Sequence, residues 1–219
     1  MRLNASSVVE ETEVASLTRE LREALEQQSA SSEVLRVISS YPGDPQPVFQ
    51  AMLKNAVRLC DAEFGNIYHW DGDALHLVAT QNAPPAFAEA RRLSAVRPSP
   101  KTPTGRMIAN KKVAHIADLR AEKAYADRDP WIVAGVELGG VRTVLMVPML
   151  KENELIGAFS VYRQEVRPFT DRQFVLGQNF AAQAVIAIEN ARLLKEIRQR
   201  TSDLTECLSE NILNRMNRL

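Results

Sequence analysis

The segment from Arg142 to Arg163, RTVLMVPMLKENELIGAFSVYR, constrains the fold more than any other part of the chain. Two apolar runs flank the polar Lys-Glu-Asn-Glu, which predicts two antiparallel strands joined by a tight turn. The first run is apolar at both alternating sets of positions, which are Val144, Met146 and Pro148, and Leu145, Val147 and Met149. A strand that is apolar on both faces must be covered on both. We therefore predict a central hairpin with protein packed above and below the sheet.

Two residues of this hairpin weaken a sheet, since Pro148 lacks a backbone donor and Gly157 lacks a side chain. They are expected where a strand bends or where another group approaches the backbone, and a simple bulge without any ligand is the alternative. The turn must rely on Asn153 for a left-handed residue.

The second strand has two unlike faces. One face carries Leu155, Phe159 and Val161, and the other carries Ile156, Ala158, Ser160 and Tyr162. The first face predicts a helix-packed core. The smaller, more polar face predicts a cavity covered by the irregular segment 82–140.

The composition excludes several classes of protein. The 219 residues suffice for one domain with appendages, and Lys plus Arg equal Asp plus Glu at 27 each. No net field therefore favours nucleic acid or an anionic membrane. Neither a bilayer-spanning apolar run nor a secretion-signal pattern is present, which predicts a cytoplasmic protein. Cys60 and Cys207 are predicted to be free thiols.

Helical patterns bracket the chain. Apolar and small residues recur at steps of four and three from Leu17 to Ile38, interrupted at Gln28 and Ser31, which predicts a coiled-coil seam. A helix packed on its own domain is the alternative. Asp44 and Pro45 predict the start of a second helix, which runs to about Cys60.

The last helix is predicted from a capping box of Thr170 and Gln173, with a length of about 35 residues against a usual mean of about 11 to 12. A second seam is predicted at Ala187, Asn190, Leu194, Ile197, Thr201, Leu204 and Leu208. The segment LTECL within it echoes LREAL near the start, which indicates either a tandem array or chance.

The middle of the chain predicts one more hairpin and a looser segment. FGNIYHWDGDALHLVAT reads as two strands that turn at Asp71-Gly72, with Leu75, Leu77 and Ala79 on the core face. From Asn82 to Gly140, prolines limit regular structure to short pieces. These pieces are helices in PAFAEARRL, TGRMIAN and DPWIVAGVELGG, and a strand in VAHIAD.

Three of these segments together resemble the GAF domain family of cytoplasmic sensory modules. They are RTVLMVPML with ELIGAFSVY, AVRLCDAEFGNIYHWDGDALHLVAT, and FTDRQFVLGQNFAAQAVIAIENARL. The resemblance implies an α+β, GAF/PAS-like fold: a six-stranded antiparallel sheet with the first and last helices on one face and a lid over a small-molecule pocket on the other. It also implies flanking coiled-coil signalling helices that join a bacterial output domain, such as a histidine kinase or nucleotide cyclase. The resemblance covers residues 32–195, which predicts an N-terminal tail and signalling helix over 1–31, a GAF domain over 32–195 and a C-terminal coiled-coil helix over 196–219.

The known ligands of this family are bound by particular residues, most of which this chain lacks. Asn110 and Lys111 match only part of the cyclic-nucleotide signature, and no cysteine between Asp61 and Glu206 could attach a bilin. The free methionine sulfoxide reductase type needs pocket cysteines, whereas Cys60 and Cys207 are expected elsewhere. We therefore predict no enzyme, cofactor or metal.

Histidines supply no clear metal site either. His69 and His76 lie in the first hairpin without clustered carboxylates or thiols. His115 is the best single candidate for a haem ligand, although a side chain bonded at a strand edge is its simpler role.

For a noncovalent ligand, the polar and aromatic candidates come from the lid and the cavity-side strand. They are Arg97, Thr104, His115, Asp118, Tyr125, Trp131, Arg142 and Thr143. The function predicted from the sequence is a sensory and dimerisation module, a parallel homodimer that binds an unknown small molecule and signals through its terminal helices to an output domain. A ligand-free structural spacer is the alternative, and a thiol reductase is less favoured. Neither nucleic acid nor membrane is an expected partner.

Overall fold

The computed structural model describes residues 18, 28, 32, 45–95 and 97–216. The predicted N-terminal seam, apart from Gln28, lies outside these residues, and so does the predicted cap Asp44. The coiled-coil and domain-boundary assignments of the termini therefore stay predictions.

The described chain alternates short helices with strands. In order, the elements are α1 (Gln46–Leu59), β1 (Phe64–Trp70), β2 (Leu75–Gln81), α2 (Pro85–Leu93), α3 (Pro103–Asn110), β3 (Ala114–Ile116), a 3₁₀ turn (Leu119–Ala121), α4 (Lys123–Ala126), α5 (Pro130–Glu137), β4 (Thr143–Lys151), β5 (Glu154–Arg163) and α6 (Asp171–Met216). Both predicted hairpins are confirmed. All strand pairs are antiparallel, in the order β2-β1-β5-β4-β3.

The sheet has five strands within the described residues, so the prediction of six is wrong there. The described residues of segment 82–140 contribute only the three-residue strand β3, which pairs with β4. Prolines at 98, 100 and 103 explain part of this difference, because they lack the amide donors that a further strand would need. Pro103 instead begins α3, capped by the Thr102 side chain.

The helices α1 and α6 cover one side of the sheet, called here the helix face. Their apolar residues, including Phe49, Met52 and Phe180, pack against the sheet residues of this face. Those sheet residues are Ile67, Ala79, Leu145, Val147, Met149, Phe159 and Val161. The implied position of the first and last domain helices on one face is therefore correct.

The opposite side, called the chamber face, carries Phe64, Tyr68, Leu75, Val144, Met146, Ala158 and Tyr162. Its cover comes from segment 82–141, which supplies Phe87, Met107, Ile116, Leu119, Ala124, Trp131, Ile132, Val136 and Val141. The central strands are therefore buried on both sides, as their apolar pattern requires.

Bulges change two predicted side-chain orientations. Met149 pairs with Gly157 and Leu150 with Leu155, so Ile156 is an extra residue in β5. As a result Leu155 packs on the chamber face and Ile156 on the helix face, the reverse of the prediction. A bulge shifts the alternation by one residue, which a strict period of two cannot anticipate.

The second bulge lies in β2, where Ile67 pairs with Ala79 but Tyr68 pairs with Leu77, so Val78 is an extra residue. Ala79 therefore lies on the helix face while Leu75 and Leu77 lie on the chamber face. The prediction that these three residues share one face is wrong for Ala79.

The two sheet-weakening residues of the central hairpin have separate explanations. A Cβ atom at Gly157 would lie 2.1 Å from the carbonyl oxygen of Tyr68, so the neighbouring strand leaves no room for a side chain. Pro148 lies two residues beyond Met146, the last β4 residue that pairs with β3. Within the described residues, the β3 side of β4 therefore has no strand at Pro148, while β5 pairs there through Ala158.

The long helix α6 begins as predicted. The Thr170 N–H donates to Gln173 Oε1 at 3.0 Å, and the Gln173 N–H donates to Thr170 Oγ1 at 3.3 Å. These reciprocal bonds form a capping box. The helix extends over 46 residues, longer than predicted.

The turn between β4 and β5 offers a stability test. Both Glu152 and Asn153 have positive φ, at 48° and 66°, and the left-handed region is costly for residues other than glycine and asparagine. We expect Glu152→Asn combined with Asn153→Gly to raise the free energy of unfolding by about 1 kcal/mol, because Asn-Gly suits such turns. Urea titration measures the gain. Glu154→Asn, at a neighbouring position without positive φ, should give none; an equal gain there would contradict the explanation.

Candidate functional site

The candidate site is the chamber between the chamber face and the helices α2, α3 and α5. Its lining includes Phe87, Arg91, Thr104, Trp131, Val144, Met146 and Tyr162. The free volume is about 30 Å³, which is room for about one or two water molecules. Pockets for drug-sized ligands have volumes of about 300–1,000 Å³, so the chamber is closed around its own side chains in this structure. A movable lid remains a prediction.

Among the described residues that line the chamber, Arg91 alone is charged. It lies on α2, and only 6% of its surface is exposed. One Nη donates to the carbonyl oxygen of Trp131 at 2.8 Å, while Nε has no hydrogen-bond partner among the described residues. A buried guanidinium with so few acceptors is unusual, because burial of an ion without compensation is costly.

Aromatic rings surround this guanidinium. Its central carbon lies 3.3 Å from the centroid of the Trp131 ring and 4.6 Å from that of Phe87. Such cation–π contacts stabilise a charge that has left water. Burial lowers the pKa of Arg91, while the hydroxyls of Tyr68 and Tyr162 and the Asp129 carboxylate oppose that shift.

A chain of polar side chains continues from the chamber across β1 and β2. Tyr68 and Tyr162 hydroxyl oxygens lie 3.3 Å apart, and the Asn66 amide donates to Tyr68 at 2.8 Å. Thr80 donates to the Asn66 oxygen at 2.6 Å. Burial raises the pKa of Tyr162 well above its usual value, so its hydroxyl stays protonated. The network therefore brings one neutral hydroxyl, that of Tyr162, to the chamber lining.

Two of the eight predicted site residues line the chamber together. Trp131 Nε1 donates to Thr104 Oγ1 at 3.1 Å, and both side chains are buried. The bond joins α5 to α3 across the chamber. Asp129 positions Trp131, because its carboxylate accepts the Trp131 and Ile132 amides at the start of α5.

Four other predicted residues lie in contacts outside the chamber lining. Arg97 is exposed and pairs with Asp73 near the first hairpin turn. Arg142 pairs with Asp118 through two hydrogen bonds of 2.9 and 2.7 Å, which lowers the pKa of Asp118 and raises that of Arg142. Tyr125 is half-buried beside the chamber core.

Thr143 and His115 connect secondary-structure elements. The Thr143 hydroxyl lies 2.7 Å from the Ala117 carbonyl oxygen and accepts the Arg167 N–H at 3.1 Å. His115 Nε2 accepts the Phe169 N–H at 3.2 Å, and its ring contacts Phe169 and Phe174 before and within α6. Burial, with a smaller contribution from Arg163, lowers the pKa of His115. His115 is therefore hydrogen-bonded at the edge strand β3, as in the simpler of the two roles considered for it.

Arg91 was not among the sequence candidates, although a signal was present. Phe87, Ala88 and Arg91 are the buried residues of α2, and their spacing places them on one helical face. An arginine on the apolar face of an amphipathic helix indicates burial. The adjacent Arg92 is exposed. In the sequence the two arginines look like one solvent-exposed charged pair, and only the helical periodicity indicates that they point in different directions.

Cys60 lies at the end of α1 in the core of the helix face, away from the chamber. Burial raises the pKa of its thiol to about 12, which disfavours the thiolate that a nucleophile requires. Within the described residues, no three His, Cys, Asp or Glu side chains gather as metal ligands. Of the helices in the described part of the chain, none combines the length and apolar character that a bilayer crossing needs.

The sequence matches the family model of the GAF domain over residues 43–189. This chain belongs to the GAF domain family, as its resemblance indicated. No curated protein matches the sequence.

Solved structures share the fold at low sequence identity. The GAF domain of a phosphoenolpyruvate-protein phosphotransferase from Coxiella burnetii has a TM-score of 0.62 at 16% identity, covering 78% of this chain and 96% of its own. A GAF domain/HD domain protein from Geobacter sulfurreducens scores 0.58 at 18% identity, with 69% and 95% covered. Free methionine-R-sulfoxide reductase from Neisseria meningitidis scores 0.59 at 17% identity, with 78% and 93% covered.

Proposed function

We propose that this chain is a cytoplasmic sensory module that binds a small molecule noncovalently in the chamber. A single observation carries the proposal: a buried, poorly satisfied guanidinium lies among aromatic side chains between the sheet and its cover. Convergent polar groups in an otherwise apolar cavity are typical of ligand sites. Membership of the GAF family, whose domains serve as sensors in signalling proteins, supports the same role.

Strand β4 offers a physical route from the chamber to α6. Val144 and Met146 line the chamber, whereas Leu145 and Val147 point to the helix face. A Cβ atom at Gly177 of α6 would lie 3.2 and 3.3 Å from the side chains of Leu145 and Val147. Movement of β4 on ligand binding would therefore press directly on α6. Signalling requires that the ligand bind two arrangements with different affinity.

The output is proposed to leave through α6 in a parallel homodimer. Val175, Ile186, Leu193 and Ile197 are large apolar side chains that are about half exposed on this helix. The predicted seam included Ala187, which the helix-face core buries. The exposed residues Ile186 and Leu193 are therefore the better candidates for the dimer contact. Ile197 belongs both to the predicted seam and to this exposed face. A histidine kinase or nucleotide cyclase is the proposed output domain.

Ligand binding is tested by a thermal-shift screen of the full chain against nucleotides, amino acids and small aromatic compounds. A ligand of the folded state raises stability by RT ln(1 + [L]/Kd), so a compound at ten times its Kd is expected to raise Tm by about 3 to 6 °C. No shift across this chemistry would favour the ligand-free spacer. The small free volume of the chamber is the observation that favours that alternative.

Dimerisation is tested by light scattering. We expect Ile186→Glu with Leu193→Glu to convert the dimer to a monomer, because two charges would enter an apolar contact. Removal of residues 1–31 and 196–219 should have the same effect. Arg198→Glu, an exposed change on the same helix, should leave the dimer intact. A monomeric wild-type chain would contradict the dimer.

The reductase alternative is tested by turnover of free methionine sulfoxide. The burial of Cys60 argues against it. Activity that is lost on changing Cys60 and Cys207 to serine would instead support a thiol mechanism.

A further inference from the structure

The two buried arginines among the described residues differ in how their charge is satisfied. Arg163 on β5 uses all of its donor groups. They bond to Asp61 O at 2.9 Å, Arg167 O at 2.6 Å, Pro168 O at 3.0 Å, Cys60 O at 2.8 Å and Gln173 Oε1 at 3.3 Å. Its role is structural, since it joins the end of α1 to the segment before α6.

Arg91 donates to the Trp131 carbonyl oxygen, lies within reach of the Tyr68 hydroxyl, and has an Nε without a partner among the described residues. In the described part of the chain it forms no ion pair. The nearby carboxylate of Asp129 already accepts two backbone amides of α5. Stability alone does not explain an arginine at this position, because an apolar side chain of similar volume often stabilises the folded state as well as a buried charged one. An anionic partner would explain it.

Resting on the sensory role proposed above, we propose that the chamber binds a small monocarboxylate with an apolar or aromatic body, whose carboxylate pairs with Arg91. The planar guanidinium presents parallel donors that match a carboxylate in two-point contact. The Thr104 hydroxyl accepts from Trp131 and retains its own proton for donation to the same ligand.

The charge and lining of the chamber favour a carboxylate over a phosphate. One guanidinium balances one negative charge, whereas a phosphate monoester carries close to two near neutral pH. The Trp131 and Ile132 amides, which begin α5, are occupied by Asp129 and offer no further anion contact. The remaining lining is mainly apolar and aromatic, which suits a hydrocarbon body.

Binding requires a local rearrangement, because the free volume is about 30 Å³. The guanidinium now lies on the Trp131 ring. When it turns toward a carboxylate, a flat or branched body can take its place against Trp131. The contact of the guanidinium with the Trp131 ring is then replaced by a contact of the ligand with that ring, and the ion pair is added.

The test compares matched probes and matched variants of the full chain by thermal shift. Benzoate, phenylacetate and 3-methylbutanoate are compared with their uncharged amides and with phenyl phosphate. We expect at least one carboxylate to raise the wild-type Tm by about 3 to 6 °C at ten times its Kd, and its amide to have little effect. Arg91→Met should abolish the shift, and Arg92→Met, an exposed change on the same helix, should preserve it.

The unliganded variants provide a second measurement. Arg91→Met should leave Tm unchanged or higher, unlike a structural arginine. If Arg91→Met fails to fold, Arg91→Lys, which keeps the positive charge, takes its place in the test. The proposal is then overturned unless Arg91→Lys raises the Kd for the carboxylate at least tenfold.

Three results overturn the ligand class: no shift with any carboxylate, equal shifts with the amides, or a preference for phenyl phosphate. Equal or larger shifts with neutral compounds would leave the sensory role standing. Only the absence of every ligand would remove both.

Discussion

Replacing Gly157 with alanine is expected to lower the free energy of unfolding by about 3 kcal/mol or more. The new Cβ atom would lie 2.1 Å from the Tyr68 carbonyl oxygen and 3.0 Å from the Met149 methyl carbon. The first contact is with backbone, which cannot rotate away as a side chain can. Strands β1 and β5 must therefore separate at the pair His69 and Gly157, in the middle of the sheet.

Urea unfolding followed by circular dichroism measures this loss. Gly135→Ala in α5 is a matched control with the opposite sign. There the nearest atoms would be Leu119 Cδ2 at 3.4 Å and an Arg91 Nη at 3.6 Å, which are ordinary contacts. Alanine is favoured over glycine in a helix by about 1 kcal/mol, so this variant should be neutral or stabilised. Equal losses in both variants would contradict the steric explanation.

Replacing Arg163 with methionine is expected to lower the free energy of unfolding by about 3 to 5 kcal/mol. The guanidinium is almost fully buried, and its removal leaves the carbonyl oxygens of Cys60, Asp61 and Pro168 without this donor. It also removes the contact of the guanidinium with the Phe169 ring, 4.1 Å from its centroid. Arg163→Lys should recover only part of the loss, because an ammonium has fewer donors and no planar fork.

The matched control is Arg167→Met. Arg167 pairs with Asp61 and Glu165, but 41% of its side chain is exposed, and such pairs contribute about 0 to 1 kcal/mol. Urea unfolding of the three variants should rank Arg163→Met as the least stable. Comparison with Arg91→Met adds a contrast between two buried arginines. Similar large losses at both positions would assign Arg91 a structural role and remove the basis for an anion site.

The sequence predicted the elements of this fold well where local rules decide them. The Asp71-Gly72 turn forms as expected, with the Asp71 carboxylate accepting the amides of Asp73 and Ala74 and Gly72 at a φ of 103°. The capping box at Thr170 is present, and each short piece predicted in segment 82–140 forms its helix or strand.

The candidate site was predicted less completely. Thr104 and Trp131 meet in the chamber, whereas Arg97 lies on the surface and Arg142 pairs with Asp118. Composition alone does not distinguish an arginine that faces a cavity from one that faces solvent. Arg91 and Arg92 are neighbours in sequence, and only the packing of α2 on the sheet separates their environments.

The sequence by itself determined the two hairpins, the short helices of segment 82–140, the capping box at Thr170 and the requirement for two covered faces. Periodicity and turn chemistry act over a few residues, so they can be read from the chain directly. The tertiary structure alone decided the bulges at Ile156 and Val78, the burial of Arg91 and the volume left around it. These depend on atoms brought together from distant segments, where a shift of one residue in register reverses the face that a side chain occupies.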